Sequence, residues 1–162
     1  MEKKVMYIIA GVIVVLLIVI IGFFVRPMMM FNKTSYQQNP DGTQTYSNSE
    51  GTVTVGASMP STWPSDVPAN YTGAQIIFSG DSNPQTGKAG AVVSYTVHNT
   101  SIQAISDYYK SGLTAQGWHI EGTTNIGSQV IIGATKDTRT FGASIVDAGN
   151  GDITVTAGLQ LQ

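Results

Sequence analysis

From Val5 to Val25 the chain is an unbroken apolar run, VMYIIAGVIVVLLIVIIGFFV, bounded by Glu2-Lys3-Lys4 on one side and Arg26-Pro27 on the other. As a helix, about 21 residues make a rod of roughly 31 Å, the thickness of a bilayer's hydrocarbon core. The run has no polar face to turn toward water. It ends without a small-x-small cleavage site, so a retained transmembrane anchor is expected over a cleaved signal peptide. The basic residues at its two ends nearly balance, and the short N-terminus then assigns itself to the cytoplasm and the rest of the chain to the outside. Residues 1–26 are read as this cytoplasmic stub and anchor.

The pattern changes at Asn32. Stretches such as SYQQNPDGTQTYSNSEG carry few branched aliphatics, too few to offset the entropy of ordering. Residues 27–60 are therefore expected as a flexible polar linker, with Thr52-Val53-Thr54-Val55 as one alternation able to join a sheet edge.

Residues 61–162 carry strand periodicity, with candidates at Ala74 to Phe78, Ala91 to Val97, Trp118 to Thr123, Gln129 to Thr135, Thr140 to Val146 and Asp152 to Leu161. Gly80 to Gly87 reads as a turn-rich loop. Between the second and third strands lies the one good helix outside the anchor. Thr100-Ser101-Ile102-Gln103 matches a capping box, and Ile102, Ile105, Tyr109 and Leu113 form one apolar face with Tyr108 alongside. Gly117 suits the left-handed residue beyond the helix end, and Trp118 is expected to fold back over it. The expected fold class is α+β: a single N-terminal transmembrane helix, then one helix packed on an antiparallel β-sheet.

The segment Trp63-Pro64-Ser65-Asp66-Val67-Pro68-Ala69-Asn70-Tyr71-Thr72-Gly73-Ala74, followed by Tyr108-Tyr109-Lys110, Leu113 and Gly117-Trp118, resembles an extracytoplasmic domain. That domain recurs in uncharacterised bacterial lipoproteins and membrane-anchored proteins. The resemblance runs from Trp63 to Trp118 and implies an exported domain, with no activity attached. This chain has a membrane-spanning run where a lipidated cysteine often serves. In the residues themselves, Pro64 and Pro68 enforce an extended entry segment and Gly73 suits a tight turn. Asp66 is expected to cap nearby backbone amides, and Trp63 and Tyr71 to cover the sheet edge. Trp63, Asp66, Tyr71 and Trp118 are the candidate binding surface.

Composition narrows the chemistry. After Pro60, Lys88, Lys110, Lys136 and Arg139 stand against seven acids, a balance that argues against nucleic acid. With no cysteine there is neither a disulfide framework nor a thiolate metal site. Gly80 to Lys88 has the wrong glycine spacing for a phosphate loop, and Ala89 stands where a magnesium-binding hydroxyl belongs. His98 and His119 lie on different elements with no third zinc ligand in view. Asp147 to Asp152 lacks the acids of a calcium loop, and its Asn150-Gly151 reads as a hairpin turn. A pilin-like subunit would carry a glutamate early in its apolar helix, and this run has no acid. No catalytic residue, cofactor or metal is expected. Asn32, Asn70 and Asn99 stand in glycosylation sequons.

The expected function is a non-enzymatic, membrane-anchored module of the cell envelope. It would be held in the lipid bilayer through Val5 to Val25 and would bind an envelope protein or glycan. The alternative is an envelope hydrolase with a site around His98 or His119.

Overall fold

A computed structural model describes residues 34–48, 51–84, 88–149 and 151–161. Within them the strands are β1 (Ser35–Gln38), β2 (Gln44–Asn48), β3 (Gly51–Gly56), β4 (Gln75–Pro84) and β5 (Gly90–His98). A helix, α1 (Ile102–Ala115), precedes β6 (His119–Ile126), β7 (Gln129–Lys136), β8 (Arg139–Asp147) and β9 (Asp152–Gln160). All nine strands join one sheet in the order β1-β2-β3-β4-β5-β9-β8-β7-β6, every pair antiparallel. The first five strands form a meander. The chain then crosses along α1 to the far edge and returns by a second meander, until β9 closes against β5.

Alternation gives the sheet two unlike faces. On one, Tyr95, Val155, Ile145 and Val130 stand in register across β5, β9, β8 and β7, and Val93, Ala157, Ala143 and Ile132 form the next row. All eight are buried core residues. The helix lies over β6, β7 and β8 on this face and drives Ile105, Tyr109 and Leu113 into the core. Each such side chain contributes roughly 1.5–3 kcal/mol. On the opposite face Gly122, Gly133, Gly142 and Gly158 stand side by side across four strands, flanked by a row that includes Ser94, Thr156 and Ser144.

The helix ends follow local chemistry closely. Its N-cap is Ser101, whose hydroxyl accepts from the Ala104 amide at 3.1 Å, one residue later than the Thr100 cap expected. Gly117 takes φ of 79°, and the amides of Trp118 and Gly117 donate to the carbonyls of Leu113 and Thr114, a Schellman closure.

The expected fold class is corrected. The described chain is predominantly β, a nine-stranded antiparallel sheet with a single 14-residue helix. No helix among the described residues is long and apolar enough to cross a membrane, and the Val5 to Val25 run lies outside them. The largest departure is in the polar stretch expected as linker, where residues 35–56 supply β1 to β3. These strands are held by polar ladders in place of apolar burial: Thr45 Oγ1 meets Thr54 Oγ1 at 3.2 Å, and Asn39 Nδ2 donates to Thr43 and Thr45, both at 2.8 Å. The supposed loop at Gly80 likewise continues β4 to Pro84, because β3 is there to pair with it.

Inside the core the Tyr95 and Tyr109 hydroxyls share a hydrogen bond of 2.9 Å, and Tyr109 reaches the Ala69 carbonyl at 3.3 Å. Burial pushes Tyr95 up to about 12 and Tyr109 well above its ordinary value of 10.0. The unfolded tyrosines ionise first as pH rises, so stability is complete below about pH 10 and declines above it. Tyr95→Phe and Tyr109→Phe are expected to cost about 1–2 kcal/mol each and to be non-additive, with a shallower alkaline decline, in chemical denaturation of the full chain in detergent micelles.

Candidate functional site

The entry segment between β3 and β4 has no regular structure, yet its backbone is specified. Trp63 donates to the Pro60 carbonyl, Val67 to Pro64 and Ala74 to Tyr71, making three successive turns, and Gly73 supplies φ of 77° for the last. These turns lay the segment against α1. A groove of about 550 Å³ runs between the two, with Met59, Pro60, Trp63, Pro64 and Pro68 on one side. Tyr108, Gly112 and Gln116 form the other, four residues apart and so on one helix face. Gly112 permits the approach: a Cβ there would stand 2.6 Å from Pro68 Cγ. The Trp63 indole N–H is buried and has no hydrogen-bond partner among the described residues.

A polar clamp sets the groove's geometry. Lys136 and Arg139 flank the two-residue turn between β7 and β8 and are direct register partners, so they point to the same face. Both take hold of Asp66. Arg139 donates from both terminal nitrogens, at 2.9 Å to Oδ1 and 2.7 Å to Oδ2, and Lys136 Nζ donates to Oδ2 at 2.7 Å. Lys136 also donates to the Gln116 carbonyl at the helix end at 2.7 Å. The Arg139 guanidinium lies 5.0 Å from the centroid of the Trp118 ring, whose N–H returns to the Asp66 carbonyl at 2.8 Å. The circuit ties entry segment, helix and hairpin together. The Arg139 hydrogen bonds, with Lys136 beside them, hold the Asp66 carboxyl well below the ordinary 3.8, against the opposing effect of its partial burial.

The four candidate binding residues thus have different places. Trp63 lines the groove. Tyr71 packs edge-on against Tyr108, ring centroids 5.3 Å apart, behind the groove wall. Asp66 caps no backbone amide with its side chain, because two cations outcompete the local donors. Trp118 is only 3% exposed and stands edge-on to Phe141 within the core. Sequence reading missed Lys136, Arg139 and Gly112. The cation pair bracketing a two-residue turn was the available signal for the first two; nothing local marks the third.

The histidines are not brought together. His98 is on β5 and His119 on β6, four strands apart and so about 19 Å across the sheet. Nδ1 of His98 lies 2.5 Å from Asp152 Oδ1 at the exposed end of the β5–β9 pair. Neither histidine lines the groove. Among the described residues no group of three or more metal-ligating side chains converges.

Asp66→Asn removes the charge that both cations face and is expected to destabilise by about 1–3 kcal/mol in thermal or chemical denaturation. The unfolded carboxyl protonates first as pH falls, so the clamp contributes fully above about pH 5 and fades below about pH 4. The variant's stability curve should be flatter through that acid range. Gly112→Ala favours the helix by about 1 kcal/mol, yet it must displace Pro68, so it is expected to lower Tm and alter the groove. No family model, no curated protein and no solved structure matches this chain.

Proposed function

We propose that this chain is a non-enzymatic binding module of the cell envelope, held at the bilayer by Val5 to Val25 with its sheet domain on the extracytoplasmic side. The groove between entry segment and α1 receives an envelope protein or glycan. The observation that carries the reading is the groove's chemistry: three prolines and two aromatic rings line an uncharged depression. Rigid rings and prolines lose little entropy on binding. The alternative hydrolase would need a cleft and a nucleophile beside a histidine, whereas His98 is engaged with Asp152 at an exposed strand end.

The test uses the full chain in lipid nanodiscs, cross-linked to native envelope extracts and read by mass spectrometry. A partner captured by the wild type and by His98→Ala, but lost with Trp63→Ala and Tyr108→Ala at unchanged circular dichroism, is the expected outcome. An empty capture by folded protein, or a profile indifferent to both groove variants, would overturn the reading.

A further inference from the structure

A second surface is built on the β1–β2 hairpin. Tyr36 pairs in register with Tyr46, and Gln38 with Gln44, all on the face opposite the core. Tyr36 and Tyr46 are 54% and 37% exposed, the two exposed aromatic residues among those described. Their rings lie 5.4 Å apart at 54°. Each hydroxyl donates to a glutamine two residues along its own strand: Tyr36 to Gln38 Oε1 at 3.3 Å, Tyr46 to Gln44 Oε1 at 2.9 Å. Each carboxamide is thereby held by its oxygen, and neither amide nitrogen has a partner among the described residues. The hairpin is braced at its tip, where Asp41 Oδ1 accepts from the Thr43 amide and hydroxyl at 3.0 and 2.7 Å.

The neighbouring positions on this face, Val53 and Val55 on β3 and Gly80 and Ser82 on β4, are uncharged. The one carboxylate of β4, Asp81, pairs with Ala91 and so belongs to the opposite face. We propose that this Tyr–Gln platform is a second binding site, separate from the groove, for a neutral pyranose oligosaccharide. A pyranose presents C–H groups on its face and hydroxyls around its rim. An exposed tyrosine ring meets the first and an oriented amide N–H the second. Among the described residues of the platform there is no cation, so a nucleic acid or an anionic polymer would find no counter-charge here. Two ring–amide pairs on adjacent strands contact neighbouring sugar units, so the ligand is an oligomer.

The full chain in nanodiscs is titrated with cellohexaose and with chitohexaose and followed by calorimetry. Saturable binding to at least one is expected, changing by less than about two-fold between low and high salt because no charge is neutralised. Tyr36→Ala with Tyr46→Ala, and separately Gln38→Leu with Gln44→Leu, should each weaken it at least about ten-fold. The glutamine pair preserves the strands and both rings, so the comparison survives if the tyrosine pair unfolds the hairpin. Trp63→Ala should leave oligosaccharide affinity unchanged, which separates this site from the groove. Absence of saturable binding to both sugars, wild-type affinity in the glutamine variant, or loss of affinity in Trp63→Ala would overturn the proposal.

Discussion

One carboxylate fixes the working end of this domain. Asp66 belongs to a segment with no helix or strand of its own, so its position must come from its partners. Two cations and an indole supply them, drawn from a hairpin and a helix terminus that are distant in sequence. Desolvating a carboxylate works against folding, and the gain exceeds the loss only because Arg139 binds both oxygens and Lys136 adds a third hydrogen bond. Lys136 at the same time satisfies the Gln116 carbonyl, one of the acceptors that every helix end leaves open. This circuit adds to the Pro68–Gly112 packing and the Tyr109–Ala69 hydrogen bond in seating the entry segment on the helix.

Lys136, Arg139 and Asp66 gather at the end of the covered face, where they pin the layer above the sheet. The other face mixes hydroxyls, amides and glycine backbone with Val92 and Ile131, and carries the His98–Asp152 pair and Glu121 toward its strand ends. A sheet with one face under the helix must make the second compatible with water, and polar groups that hydrogen-bond one another across strands contribute to that here. Ser94 meets Thr156 at 3.2 Å and Gln129 donates to Ser144 at 2.7 Å.

How much of this was legible in the sequence depends on what held each element. The helix and the strands from β5 onward show apolar periodicity because a core selects them, and the expected boundaries lie within a few residues. The strands β1 to β3 do not, because cross-strand pairs of threonine, serine and tyrosine replace burial, and composition alone makes such a stretch look unstructured. Gly73 and Gly117 were legible from turn chemistry, and both have the positive φ that chemistry requires. Asp66 was noticed, but its partners lie 70 and 73 residues away in sequence, beyond any local pattern. Gly112 has no local signature at all, since its reason is Pro68, a residue of another element.

The folding of β1 to β3 also changes the anchored geometry. A flexible linker of about 34 residues would span on the order of 30–35 Å root-mean-square and leave the domain free to turn. With β1 starting at Ser35, only the eight residues from Arg26 to Lys33 separate the apolar run from Thr34, a reach of at most about 29 Å. Under the anchored reading this tether holds the β1–β2 hairpin within one domain diameter of the bilayer. Across the nine strands, α1 and the groove occupy the face away from that hairpin's Tyr–Gln surface. A ligand at the hairpin and a partner in the groove would meet opposite faces of one sheet, and neither would obstruct the other.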